Sequence, residues 1–94
     1  MMKIGIFCRN VSYGKRAKEE LDKGDGTQFI IFPINDGEIL GTQRVDKAYV
    51  LDDVSYREIL YLVQPCLKDR DGCIMIGDGN TWMNLSVILK LINI

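Results

Sequence analysis

The sequence of 94 residues contains no histidine, only three cysteines and only two prolines. Without histidine the chain lacks the commonest general base and the commonest metal ligand, which excludes cysteine–histidine and serine–histidine catalysis within one chain. Cys8, Cys66 and Cys73 are an odd number without a CxxC pair, so they fit neither a disulfide framework nor a zinc site. We therefore expect a reduced, cytoplasmic protein.

Long apolar runs and an excess of one charge are also missing. No run approaches the roughly 20 apolar residues of a membrane span, and residues 1–7 lack the cleavage pattern of a signal peptide. The formal net charge is -1, whereas nucleic-acid-binding domains usually carry a basic excess. We expect neither a membrane nor nucleic acid as a partner.

What the chain does contain is typical of a globular protein: 47% hydrophobic and 27% charged residues. The length suits one domain over residues 1–94 and is too short for two. Apolar segments with β-branched and aromatic residues predict four strands, at 3–8, 27–34, 47–51 and 73–76. Helix-forming segments predict helices over 15–23, 54–68 and 82–92.

This order, β-α-β-(loop)-β-α-β-α, predicts an α/β fold with a small, mostly parallel four-stranded sheet in two or three layers. It is a minimal Rossmann-like or flavodoxin-like arrangement. Residues 35–46 show no clear helix and could hold a short hairpin or an irregular loop. The second and third strands could therefore also be antiparallel neighbours.

Polar residues and prolines predict where these elements begin and end. We expect helix N-caps at Ser12, at Asp53 or Ser55, and at Asn80 or Thr81. Pro65 should kink or end the second helix, because proline lacks the backbone N–H that a helix interior needs. Pro33 should lie at a strand end or on a sheet edge for the same reason.

Three polar loops follow the first, third and fourth predicted strands. In an open parallel sheet, ligands bind outside the carboxyl ends of the strands, so these loops are the candidate site. The first loop precedes a helix N-terminus, where free N–H groups favour anions. The anion-binding candidates in and after this loop are Arg9, Asn10, Ser12, Lys15 and Arg16.

The other two loops supply carboxylates. Asp52, Asp53 and Asp78 could hold Mg²⁺ on one rim for phosphoryl chemistry. Residues 76–80, IGDGN, resemble the GDGxND loop of haloacid-dehalogenase-type phosphatases, which implies such a role for Asp78. The DxD of that family is missing, however. The structural alternatives are that Asp53 caps a helix and that Asp78 closes a tight turn. If these alternatives hold, no metal is bound and we expect no cofactor.

Cys8 ends the first strand, and residues 3–8 resemble the start of the IIB proteins of sugar transport, whose first strand ends in a cysteine. The small residues that follow the cysteine in that family are missing here. We weigh a nucleophilic Cys8 against a small buried cysteine at a strand end, and favour the second.

The last ten residues are apolar nearly all round the predicted helix, which predicts burial on more than one side. Because the domain is so small, we expect a second copy to supply the second side, giving a homodimer through this helix. The candidate interface residues are Tyr13, Tyr56 and Leu91, since exposed tyrosines are common interface anchors.

Two functions follow from these patterns. The first is a non-enzymatic binding or regulatory module that acts through an unidentified protein partner or through self-association. The alternative is a phosphate- or nucleotide-binding protein, or a small metal-dependent phosphoryl-handling enzyme, that uses the loops at the strand ends.

Overall fold

A computed structural model describes residues 2–34, 44–69 and 72–92. The strands are β1 (Lys3–Cys8), β2 (Gln28–Pro33), β3 (Lys47–Leu51), β4 (Cys73–Gly77) and β5 (Trp82–Asn84). The helices are α1 (Val11–Leu21), α2 (Tyr56–Glu58) and α3 (Leu85–Ile92). A π-helical turn (Ile59–Val63) and a 3₁₀ turn (Gln64–Cys66) continue α2.

The sheet is mixed with the order β2-β1-β3-β4-β5, and every neighbouring pair except β4–β5 is parallel. The predicted α/β class with a mostly parallel sheet is confirmed. The prediction of four strands is wrong, because the described residues already form five. An antiparallel pairing of the second and third strands is also wrong, since β2 and β3 both pair with β1. Pro33 ends the edge strand β2, as expected.

The fifth strand arises from a tight turn that the sequence analysis assigned to a helix start. The Asp78 carboxylate accepts the backbone N–H groups of Asn80 and Thr81, and Gly79 takes the left-handed conformation with φ +103°. This turn reverses the chain, so Trp82 continues as an antiparallel strand beside β4. Its ring packs edge-on against Tyr49, 4.8 Å away. The prediction of a helix starting at residue 82 is therefore wrong.

Of the predicted helix caps, Ser55 is confirmed, and the other helices begin at caps that were not predicted. Asn10 caps α1 by accepting the Ser12 N–H, so the helix starts four residues earlier than predicted. Ser55 caps α2 in a reciprocal capping box with Glu58, while Asp53 serves another purpose. Asn84, which accepts the Ser86 N–H at 2.9 Å, lies directly before α3. Side chains that accept N–H groups two or three residues later decide each start.

The helical segment after α2 is distorted near Pro65. The Gln64 N–H donates to the carbonyl of Ile59, five residues earlier, which makes this turn π-helical. Pro65 has no N–H to continue the pattern, and the segment ends in a 3₁₀ turn at Cys66. The end that proline predicts is confirmed.

Side chains alternate across the sheet and form two cores of unequal size. The larger core lies beneath α2 and α3 and contains a stacked pair of rings, Phe7 and Phe32, with centroids 4.7 Å apart. The smaller core lies beneath α1, where Ile6, Cys8 and Ala17 are buried together. One helix thus covers one face of the sheet and two cover the other.

Residue 45 pairs with Leu67 in a parallel bridge. The rest of the predicted loop or hairpin, at 35–43, lies outside the described residues. Among the helices in the described ranges, none combines the length and apolar character needed to cross a bilayer.

Candidate functional site

The carboxyl ends of β1, β3 and β4 lie at one edge of the sheet, because these strands are adjacent and parallel. We call this edge, with the loops that leave it, the rim. Two of its loops are joined by the Asp53 carboxylate, which accepts the backbone N–H groups of Arg9 at 3.1 Å and Asn10 at 3.0 Å. The predicted convergence of these two loops is present in the structure.

Asp53 occupies the place where the sequence suggests an external anion. No acidic residue lies in the first turn of α1, so Asp53 supplies the negative charge that a helix N-terminus favours. The Ser12 N–H and hydroxyl both donate to the Asn10 side chain. An external anion that uses the N–H groups of Arg9 and Asn10 would have to displace the Asp53 carboxylate.

Arg9 ties the rim to α2. Its guanidinium pairs with Glu58 and also donates from Nε to the Asp53 carbonyl at 3.4 Å. Hydrogen bonds from the Arg9 side chain and the Ser55 backbone hold the pKa of Glu58 below its usual range. This predicted anion contact therefore already has a carboxylate partner.

A cavity of about 320 Å³ lies between α1 and the loops after β3 and β4. Four of its lining side chains are carboxylates, those of Glu19, Glu20, Asp52 and Asp78, beside Arg16 and Tyr13. Lys15 is exposed on α1 and is not among the lining residues. The acidic lining disfavours the binding of a phosphate or of any other anion in this cavity.

The three predicted magnesium ligands take different positions. Asp53 faces the Arg9 loop, whereas Asp52 and Asp78 line the cavity. Hydrogen bonds from the backbone of Thr81 and Asn80 lower the pKa of Asp78, which closes the β4–β5 turn. Within the described ranges, no three histidine, cysteine or acidic side chains cluster closely enough to hold a metal ion.

Cys8 is fully buried at the end of β1, beneath α1. A Cβ at Gly14 would lie 2.6 Å from its sulfur, so the helix approaches this thiol closely. Burial, and then the charge of Asp53, raise the pKa of the Cys8 thiol. A nucleophilic cysteine needs a lowered pKa and access to solvent, and Cys8 has neither.

A second concave surface lies on the other side of the sheet, between α2 and α3, with a volume of about 500 Å³. We call it the α2–α3 groove. It is lined by Asp52 and by eight mostly apolar residues, namely Val54, Tyr56, Ile59, Ile76, Leu85, Ile88, Leu89 and Ile92. Apart from one carboxylate and one phenol, its walls are aliphatic.

Helix α3 forms one wall of this groove. Six of its eight residues are apolar, yet none is fully buried. Val87, Leu91 and Ile92 expose 47%, 61% and 70% of their surface. The apolar pattern predicts burial of this helix on several sides, whereas in the structure only its groove side, with Leu85, Ile88 and Leu89, is half-buried.

The predicted interface residues fall on two surfaces. Tyr13 lines the rim cavity beside α1, whereas Tyr56 lines the groove and Leu91 projects from α3. Sequence reasoning missed the groove residues Ile59 and Ile76, which it assigned to a helix and a strand core. Only the excess of apolar residues in α3 gave a signal of this surface.

Comparisons of the chain with protein-family models, with curated proteins and with solved structures find no match.

Proposed function

We propose that the chain is a small, non-enzymatic module that binds another polypeptide in the α2–α3 groove. One observation carries the proposal: an apolar groove of about 500 Å³ whose wall, α3, has six apolar residues and none fully buried. Exposed apolar surfaces of this kind mark sites of protein interaction. An amphipathic helix that inserts side chains at i, i+3 or i+4, and i+7 is the matching ligand.

The contents of the rim also favour a binding module over an enzyme. Asp53 fills the anion position at α1, and Arg9 is paired with Glu58. The described residues that line the cavity beside them include four carboxylates and one guanidinium. These charges disfavour the alternative function, binding of a phosphate or nucleotide, because a phosphate would be repelled there.

The finer fold assignment belongs to the same proposal. We interpret the order β2-β1-β3-β4-β5 as a reduced flavodoxin-like sheet whose last strand is reversed. Cys8, Cys66 and Cys73 form no disulfide with one another, which supports a cytoplasmic setting because disulfides are rare there. If the module is regulatory, it would act through the polypeptide that it binds in the α2–α3 groove.

A display library of amphipathic helical peptides tests the proposed function. We expect peptides with apolar side chains at helical spacing to bind the wild-type chain and not Ile88→Glu, which places a charge in the groove wall. Tyr61→Glu is the control, since this α2-segment residue is 70% exposed and does not line the groove. If a monomeric wild type binds no peptide better than Ile88→Glu does, while near-ultraviolet circular dichroism shows both folded, the proposal is wrong.

A further inference from the structure

We infer that the occupant of the α2–α3 groove is a second copy of this chain, which makes the module a symmetric dimer through α3. This inference rests on the proposed function and narrows it to one partner. It starts from the outer side of α3, which a lone domain would normally cover with charged residues. Lys90 is the only charged residue among the eight of this helix.

Helix α3 offers both halves of an interface. Leu85, Ile88, Leu89 and Ile92 lie at helical spacing and line the groove. Val87 and Leu91, spaced i and i+4, form an exposed apolar ridge on the neighbouring side of the same helix. Ridge and groove therefore run side by side along one element.

A twofold axis uses both halves at once. In such a contact the same surface meets itself, so the ridge of each copy enters the groove of the other. A helix from another protein that binds in the groove would leave Val87 and Leu91 exposed. A different protein that covers Val87 and Leu91 with a groove of its own would leave the α2–α3 groove of this chain empty. A second copy covers both surfaces with residues that the chain already carries.

The available area also suits a dimer. The exposed parts of Tyr56, Val87, Leu91 and Ile92 adjoin the half-buried groove residues, and exposed apolar patches above a few hundred Å² mark interaction sites. A standard interface buries about 800 Å² per partner, so polar surface around the groove would supply part of the contact.

Charge does not oppose the pairing. The formal net charge of the chain is -1, so two copies repel each other weakly. Among the described residues that line the groove, Asp52 is the one charged side chain, and it is exposed. Packing and shape, rather than ion pairs, would therefore determine how the two copies fit together.

Sedimentation velocity across micromolar to millimolar concentrations tests the inference. The chain has a mass of 10.7 kDa, and we expect the wild type to reach twice that value. Leu91→Glu should raise the dimer dissociation constant roughly 100-fold or more, because a charge would be buried without a partner. Tyr61→Glu is the matched control, since it adds the same charge at a residue of similar exposure away from the groove.

Isotope-filtered NMR on a mixture of labelled and unlabelled chains gives a second, mutation-free measurement. Contacts between the Leu91 methyl groups of one copy and the Tyr56 ring of the other would support the arrangement. A wild type that stays monomeric at every concentration overturns the inference, and so does a dimer that Leu91→Glu leaves intact.

Failure of the dimer and failure of the proposed function give different results. A monomer that binds helical peptides, and loses them in Ile88→Glu, refutes only the second copy as occupant. A monomer that binds none refutes both. A dimer that dissociates when such a peptide is added supports both, because the peptide competes for the same groove.

Discussion

Replacing Asp53 with alanine tests whether one carboxylate holds the rim together. The side chain accepts the backbone N–H groups of Arg9 and Asn10 from a loop 43 and 44 residues away in sequence. The substitution removes both hydrogen bonds and the negative charge at the N-terminus of α1. It leaves the bond from Arg9 Nε to the Asp53 carbonyl in place.

The expected loss of unfolding free energy follows from the type of contact. A hydrogen bond to a charged acceptor contributes about 1.5–3 kcal/mol when well shielded, and a carboxylate near a helix N-terminus about 0.3–1 kcal/mol. Arg9 and Asn10 are exposed, so water replaces part of what is lost. We expect a total loss of roughly 1–2 kcal/mol, or about 4–15 °C in Tm for a domain of this size.

Urea unfolding followed by Trp82 fluorescence measures this loss. Asp52→Ala is the control, because it removes an identical charge from the adjacent, exposed residue and breaks none of these bonds. Asp53→Asn should cost less than Asp53→Ala, since the amide retains one acceptor oxygen. Equal losses for Asp52→Ala and Asp53→Ala would refute the reasoning.

Three further predictions follow from the same geometry. The lowered pKa of Glu58 means that its contribution to stability is complete above its unfolded pKa of about 4.3 and is lost as pH falls through the folded value. Arg9→Ala should therefore flatten the acid side of the stability profile in urea titrations, and a profile parallel to that of the wild type would contradict this. Gly14→Ala should cost about 1–3 kcal/mol in chemical unfolding despite the better helix propensity of alanine, because the added Cβ meets the Cys8 sulfur; Cys8→Ala in the same chain should recover most of the loss, and no recovery would exclude that clash as the cause. In the native state an alkylating reagent should modify half-buried Cys73 well before Cys8, whose pKa is raised by burial, and peptide mass mapping that finds Cys8 modified first would overturn this order.

Strand positions could be predicted closely because buried strands carry a strong local signal. The runs beginning at Lys3 and Lys47 have the predicted bounds, since both are short, apolar and bordered by polar residues. The segment at Trp82 was assigned to a helix, because Trp82, Leu85, Ile88, Leu89 and Ile92 fit a helical spacing. For the first three residues of this segment, the turn closed by Asp78 determines the structure instead, and they form β5 rather than a helix.

The site was harder to predict because its contacts join residues far apart in the chain. Sheet geometry correctly brought the loops after β1 and β3 together. It could not indicate that Asp53, rather than an external anion, would accept the N–H groups before α1. Asp53 lies just before α2 in the sequence, and an aspartate in that position has the pattern of an N-cap for α2 itself. The α2–α3 groove depends on how two helices lie over one sheet face, which a linear pattern does not encode.

The unequal cores have a consequence for how the molecule opens. Helix α1 is anchored by the small cluster around Cys8 and Ala17 and by the bonds of its first turn to Asp53, whereas the opposite face holds most of the buried side chains. Local opening costs least where few apolar contacts are lost. Detachment of α1, with the rest of the sheet intact, would therefore cost less than exposure of the larger core, and it would briefly expose the thiol of Cys8 to solvent.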